Sequence, residues 1–324
     1  MATITEDDMG RALYVVDAKT GSRLWWAGPK GSGANLELSQ MKYSMPASPK
    51  VLDIDGDGLA DQAYIGDMGG QIWRFDFNNG NSAGTLGFGG RIANLSGGDH
   101  ASARRFYHTP DLSVSTFWGK RYLNLVIGSG FHAHPLNKVI EDRAYMIRIP
   151  ELFSAPVDAS TGDVTYTTLT ESDLLDITDN KIGEGTDSEK LAAEKALQSA
   201  NGWMLKLENK GEKVLSQSLV VDGVVTFTTY QPAPALSACA PSTGRSRLYS
   251  IALRDGQPVR NYDGSDDPDE LTKPDRVKDI PVPGIPPAPK LLRTEKDGFI
   301  CVGTNCEKVE DSNTFTQTFW REVE

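Results

Sequence analysis

The clearest chemical pattern in this 324-residue chain is an acidic stretch of nine residues, Asp53-Ile-Asp-Gly-Asp-Gly-Leu-Ala-Asp61. Aspartates occupy loop positions 1, 3, 5 and 9, with two glycines between them. Calcium prefers six to eight oxygen ligands and tolerates irregular geometry, whereas magnesium demands a small octahedral cage. The glycines permit the positive φ angles that a tightly wound loop needs. The sequence therefore predicts one Ca²⁺ ion, with a ligand set consisting of the carboxylates of Asp53, Asp55, Asp57 and Asp61 and the backbone carbonyl of Leu59.

The surroundings of this acidic loop differ from those of an EF-hand. An EF-hand loop closes with a bidentate glutamate at position 12, where this chain has Tyr64. Asp61 must then supply the closing ligand. Apolar runs of strand type flank the loop, so a bound ion would hold the two strands of a hairpin together rather than open a pair of helices. The alternative is a solvated acidic turn that binds no metal.

Short strand-like segments separated by turn residues dominate the rest of the chain. One kind has a polar start, an aromatic residue, alternating aliphatic residues and then a turn, as in residues 70–77, 143–149, 202–207 and 247–253. A second kind pairs two apolar runs across a turn, as in residues 48–66, 111–128, 217–229 and 289–303. Alternation of the two kinds is typical of radially repeated four-stranded blades. The prediction is an all-β, modified β-propeller of about four to seven blades.

One insertion interrupts the β pattern. Thr186-Asp-Ser-Glu189 has the form of a capping box and precedes a run containing Leu191, Ala192 and Leu197. It predicts a short inserted helix that ends before Gly202 and packs on the rim.

Bulk composition limits the classes of partner. The net charge of −11 argues against nucleic acid or an anionic membrane as the main partner. No run approaches the roughly 18 apolar residues of a membrane-spanning helix, so no membrane-spanning segment is predicted. The first residues lack the pattern of a signal peptide. Because the opening strands look like the end of a blade, residues 1–324 are interpreted as one propeller domain with an incomplete first blade, a fragment of a longer protein.

Three cysteines occur, at positions 239, 301 and 306. Cys301 and Cys306 flank a turn sequence that could bring two strand ends close enough for a disulfide. This pairing would leave Cys239 unpaired or bonded to a segment outside the chain. The alternative is three reduced thiols, and none of the spacings resembles a zinc site.

Several of these segments together resemble the C-terminal domain of the PilY family of type IV pilus tip adhesins. The resemblance is carried by the acidic loop within residues 48–67, by Gly70–Asp76, by Ile127-Gly-Ser-Gly-Phe-His-Ala-His-Pro-Leu136 with Asp142–Tyr145, and by the closing residues 284–287 and 319–322. It covers nearly the whole chain. It implies a quinoprotein-like propeller at the pilus tip and the same calcium ligands, Asp53, Asp55, Asp57, Leu59 and Asp61.

The resemblance also implies a function and a location. The expected role is that of a non-enzymatic, calcium-binding pilus biogenesis factor and tip adhesin of bacterial type IV pili. Calcium would regulate pilus extension against retraction, and also surface adhesion and twitching motility. Expected partners are other pilus components (minor pilins) and a host or surface receptor. The expected location is the cell surface or fimbrium.

Two other classes of function remain open. Asp17-Ala-Lys-Thr-Gly21 with Trp25 looks like the tryptophan-docking motif of quinoprotein dehydrogenases, in which the tryptophan packs between blades. A dehydrogenase would need a cofactor site that His100, His108, His132 and His134 do not obviously form, although His132 and His134 could share one face of a strand and bind a metal. An FG-GAP-type adhesion propeller would repeat the acidic loop. The acidic residues 263–270 have the wrong spacing for a second loop and are interpreted as a surface loop.

Overall fold

The computed structural model describes residues 5–233, 243–264, 271–294 and 297–309. Within these ranges five sheets follow one another along the chain. Most neighbouring strands are antiparallel, and the two parallel pairs lie at sheet edges. No helix in the described part of the chain has the length and apolarity to cross a membrane.

The acidic loop belongs to the second of the five sheets. Sheet one has three strands, which are β1 (Leu13–Val16), β2 (Arg23–Pro29) and β3 (Leu36–Leu38). Sheet two has four sequential antiparallel strands, which are β4 (Lys50–Leu52), β5 (Gln62–Gly66), β6 (Gln71–Phe77) and β7 (Gly87–Asn94). The predicted hairpin within residues 48–66 is confirmed, and β1 and β2 form a second antiparallel pair.

The remaining three sheets continue the same plan. Sheet three consists of β8 (Asp111–Phe117), β9 (Lys120–Gly128), β10 (Arg143–Ile149), β11 (Leu175–Asp176) and β12 (Gly202–Lys206). Sheet four consists of β13 (Lys213–Val214), β14 (Leu219–Val221), β15 (Val224–Gln231), β16 (Arg245–Ala252) and β17 (Val277–Ile280). Sheet five consists of β18 (Lys290–Arg293), β19 (Gly298–Val302) and β20 (Asn305–Val309).

The hydrophobic cores lie between consecutive sheets. Ala63 and Ile65 of β5 belong to the core shared with sheet one, whereas Tyr64 between them belongs to the core shared with sheet three. Likewise Leu125 packs toward sheet two and the adjacent Val126 toward sheet four. Successive side chains of a strand point to opposite faces, so a middle strand is buried on both sides. Accordingly, every residue of β5 is buried.

Face-to-face packing of successive sheets is the arrangement of a propeller, and the predicted mainly β, propeller-type fold is confirmed. Trp25 shows how the sheets are joined. It is 1% exposed and packs edge-on against Phe75 and Phe77 of the next sheet. The preceding Asp17 side chain accepts hydrogen bonds from the backbone of Lys19 and Thr20. The predicted position of Trp25 between two blades is therefore confirmed.

The predicted inserted helix is also present. It is α2 (Asp187–Ser199), and it follows a one-turn helix, α1 (Lys181–Glu184), that was not predicted. Thr186 and Glu189 form both hydrogen bonds of the capping box. Two short 3₁₀ helices span Glu171–Asp173 and Lys273–Arg276.

A disulfide joins Cys301 to Cys306, which face each other across the hairpin of β19 and β20. The expected pairing of these two residues is confirmed. Cys239, most of the acidic residues 263–270, and residues 319–322 lie outside the described ranges.

Candidate metal centre

The acidic loop connects β4 to β5 at one end of sheet two. The last strand pair before it is Leu52 with Gln62, and the backbone N–H of Asp61 donates to the carbonyl of Leu52 at 2.8 Å. Phe77 then donates its backbone N–H to the carbonyl of Asp61. The two ends of the loop are thus fixed to the sheet, while residues 55–59 are exposed.

Three of the four predicted carboxylates converge. One oxygen each from Asp53, Asp55 and Asp61 lies within 4.8 Å of the other two, and this is the one such group of three among the described residues. Asp57 lies outside that group, and its Oδ1 instead accepts a hydrogen bond from the backbone N–H of Leu59 at 2.8 Å. The spacing of the aspartates thus gives a centre of three carboxylates, with Asp57 beside it.

Backbone amides of the loop hold these carboxylates in place. Both oxygens of Asp53 accept backbone N–H groups, from Gly56 at 2.7 Å and from Gly58 at 2.9 Å. Asp61 Oδ2 accepts the N–H of Ile54 at 2.6 Å. Gly56 and Gly58 have φ angles of 79° and 86°, which a side chain would make costly. The sequence therefore winds the loop around its own acidic side chains.

The donor set fits a calcium ion. All of the side-chain donors are oxygens, and no cationic side chain forms an ion pair with Asp53, Asp55 or Asp61 in the described residues. Hard oxygen donors in an exposed, irregular loop suit Ca²⁺ better than Zn²⁺ or Cu²⁺, which favour nitrogen and sulfur. Asp57 and the carbonyl of Leu59 are the nearest loop groups that could complete the coordination. The ligand set itself remains a prediction.

The histidines occupy positions that the sequence did not indicate. His132 and His134 lie in turns after β9, not in a strand, so the expectation that they share a strand face is wrong. His134 packs its ring edge-on against Phe131, with ring centroids 4.6 Å apart. His132 instead approaches His108, which precedes β8. Because 24 positions separate the two histidines in the chain, local spacing does not predict that they meet.

Buried charges link sheet two to the segment that follows β10. The Arg74 guanidinium binds Asp76 at 2.7 Å and donates to the carbonyls of Glu151 and Ser154, each at 2.8 Å. Tyr166 donates its hydroxyl to Asp76 at 2.7 Å. This network therefore joins sheet two to the segment after β10.

Comparison with known proteins identifies a family to which part of this chain is similar. Residues 2–95, which include the acidic loop, match the family model described as the PilY1 beta-propeller domain. The type IV pilus biogenesis factor PilY1 of Pseudomonas aeruginosa is 37% identical over 68 residues, covering 20% of this chain. A PilY1 homolog of Xylella fastidiosa, also a type IV pilus biogenesis factor, is 26% identical over 264 residues, covering 76% of this chain.

A solved structure extends the likeness to the whole fold. The crystal structure of the Pseudomonas aeruginosa PilY1 C-terminal domain matches with a TM-score of 0.61, covering 94% of this chain and 67% of that one. The predicted resemblance to the PilY family is confirmed. At 16% identity the structural match by itself shows that the PilY-type propeller fold is shared.

The chain corresponds to a small part of its curated PilY relatives. The matched stretches span 5% of the Pseudomonas aeruginosa protein and 17% of the Xylella fastidiosa protein. The chain thus matches less than a fifth of the length of these relatives, both of which are type IV pilus biogenesis factors.

Proposed function

We propose that this chain is the calcium-binding propeller of a type IV pilus biogenesis factor and tip adhesin, and that it has no enzymatic activity. The observation that carries the proposal is the convergence of Asp53, Asp55 and Asp61 on a hairpin loop inside the stretch that matches the PilY1 propeller model. A bound Ca²⁺ would supply the positive charge that lets these carboxylates lie together.

The chain's own residues define what calcium would change. The loop ends are fixed to sheet two. Among the described residues, the hydrogen bonds of exposed residues 55–59 run from the loop's backbone to the loop's own carboxylates. Without an ion, the mutual repulsion of the carboxylates opposes this winding. Calcium would therefore order one exposed surface loop, and we propose that pilus components such as minor pilins, or a surface receptor, recognise this loop.

Under this proposal the protein acts at the cell surface, on the fimbrium. The calcium-dependent loop would shift the balance between pilus extension and retraction, and with it adhesion and twitching motility. The curated relatives are named as pilus biogenesis factors, which supports a structural rather than a catalytic role.

Calorimetric titration tests the metal site. We expect one calcium site in the wild-type chain and none in the double variant Asp55→Ala, Asp57→Ala. Asp158→Ala is a matched control, because Asp158 also accepts backbone N–H groups in an exposed turn, from Ser160 and Thr161, but does not belong to a carboxylate group. A wild-type titration without heat, or equal loss in the control, contradicts the proposal.

A cellular experiment separates calcium binding from pilus function. The same double substitution is placed in the full-length protein, and surface pili are counted in strains with and without pilus retraction. We expect the pilus number to change only where retraction operates, while Asp158→Ala behaves as wild type. Unchanged pilus numbers alongside lost calcium binding would refute the regulatory role but leave the metal site standing.

A further inference from the structure

We propose that His108 and His132 form a second metal site that takes a nitrogen-preferring divalent ion, Zn²⁺ or Cu²⁺, and is independent of the acidic loop. Imidazole suits these ions, whereas calcium prefers oxygen ligands. Water would fill the remaining coordination positions, since His132 is exposed.

The spacing of the two rings matches a shared ion. Their centroids are 5.6 Å apart and the ring planes meet at 52°. With metal–nitrogen bonds of about 2.0–2.1 Å, two imidazoles on one tetrahedral ion place their ring centroids roughly 5–6 Å apart. The pair therefore needs little movement to bind.

His108 presents a nitrogen that is ready to coordinate. Its Nε2 is buried and has no hydrogen-bond partner among the described residues. The backbone of Leu215 lies close enough to the ring to serve as a hydrogen-bond acceptor for its other nitrogen. A metal-bound histidine commonly donates its second ring N–H to such an acceptor. Burial, followed by the proximity of His132, lowers the pKa of His108 to about 4.

The turn that carries His132 is fixed to the segment that carries His108. Gly130 donates its backbone N–H to the carbonyl of Arg105, and the Arg105 guanidinium lies 4.0 Å from the ring centroid of Phe131. The ring of Tyr107 lies 5.7 Å from that of His132, and its hydroxyl bonds to the backbone of Ala133. The two imidazoles are thus positioned in advance, which reduces the entropic cost of binding.

The positive charge of Arg105 lies near the two histidines and would repel a bound cation. Asp142 and Asp7 lie close enough to Arg105 to interact with its charge, which partly offsets this repulsion. Its guanidinium also packs over Phe131, a favourable contact for a cation. The local charge therefore permits a divalent ion on the two neutral imidazoles.

Zinc titration in saturating calcium tests the proposal. We expect one Zn²⁺ ion per chain, with affinity reduced by at least about tenfold in His132→Ala, the exposed partner, and also in His108→Gln. His100→Ala and His134→Ala are matched controls and should bind as wild type. The double variant Asp55→Ala, Asp57→Ala should keep the zinc site, which separates this proposal from the calcium proposal.

A second readout locates the ion. Substoichiometric Cu²⁺ should broaden the NMR signals of the His108 and His132 ring protons before those of His100 and His134. Equal broadening of all four, loss of zinc binding in His134→Ala, or unchanged binding in His132→Ala overturns the proposal. If His108→Gln does not fold, the result for His132→Ala still decides.

Discussion

Asp67 is the most fully enclosed acidic side chain near the acidic loop, at 0% exposure just after β5. Its two oxygens accept four hydrogen bonds, from the backbone of Gly69 and Gln71, the amide of Gln71 and the indole of Trp73, all within 3.0 Å. Burial nevertheless raises its pKa to about 7, against the effect of those bonds. The folded protein therefore binds a proton at Asp67 more tightly than the unfolded chain does.

This difference in pKa predicts how Asp67→Asn changes stability with pH. A raised folded-state pKa gives a stabilising contribution that is fully present below about pH 4 and is lost as pH rises through about 7. Asparagine does not titrate, and its NH₂ group cannot accept the indole N–H, so the variant is destabilised. In urea unfolding, the deficit relative to wild type should be larger at pH 5 than at pH 8.

Asp158→Asn provides the control for this pH dependence. Hydrogen bonds from Ser160 and Thr161 lower the pKa of Asp158, so its own contribution changes only below about pH 4. Its effect should be the same at pH 5 and pH 8. If the loss of unfolding free energy in Asp67→Asn grew with pH, the raised pKa of Asp67 would be contradicted.

Local spacing predicts some of these residues and not others. The acidic loop can be recognised in the sequence because its carboxylates lie within nine residues and its glycines mark the winding. Asp67 also has partners close in sequence, but its burial depends on the packing of sheet two against its neighbours. His108 and His132 meet only because the turns before β8 and after β9 lie side by side. The convergence of three carboxylates without Asp57 depends on backbone angles that residue types alone do not specify.

Helix α2 likewise has one end that the local sequence predicts and one end that depends on a distant residue. Its start is set by the local capping box of Thr186 and Glu189, which the sequence predicts. Its end is held by Arg148 of β10, which donates to the backbone carbonyls of Leu197 and Ala200. The Arg148 guanidinium also lies 4.8 Å from the ring centroid of Trp118. A contact across some fifty residues has no local signature, so the contact of Arg148 with the end of the helix could not be predicted.

Substitution of Arg148 and Thr186 should affect opposite ends of α2. We expect Thr186→Ala to cost about 1 kcal/mol of unfolding free energy and to loosen the first turn. Arg148→Met keeps the packing volume but removes two charge-assisted hydrogen bonds, so it should cost about 2–4 kcal/mol and speed hydrogen exchange in the last turn. If hydrogen exchange at the first and last turns of α2 were the same in both variants, neither contact would anchor its end of the helix.

The disulfide between Cys301 and Cys306 stabilises only a short hairpin. It closes a loop of sequence separation 5, for which the loss of chain entropy in the unfolded state is worth about 2 kcal/mol. Replacing both cysteines with serine should therefore lower unfolding free energy by about that amount in denaturant titration. The increase in hydrogen exchange should be confined to β19 and β20. A change that spreads to sheet two would show that the hairpin supports the whole fold.

At the scale of the molecule, stability is distributed over the interfaces between sheets. Cores join sheets one and two, two and three, and three and four, and a smaller one formed by Leu248, Ile280 and Val302 joins sheets four and five. The repeat of strand segments predicts this plan, because each sheet must cover both of its faces. It does not predict which side chain of a middle strand faces which neighbour, since both faces are apolar. No member of the three-carboxylate group contributes to these cores.

Chelation of calcium should therefore change the loop and leave the propeller intact. Ligand at a hundredfold excess over its dissociation constant adds about 2.7 kcal/mol to stability, a modest gain for a domain of this size. The same energy is decisive for residues 53–61, because the hydrogen bonds that the structure describes for exposed residues 55–59 lie within the loop itself. We expect chelator to speed hydrogen exchange from Asp53 to Asp67 without altering sheets three to five. The double variant Asp55→Ala, Asp57→Ala should exchange fast with or without chelator. Global unfolding, or no change at the loop, would contradict a local role for the ion.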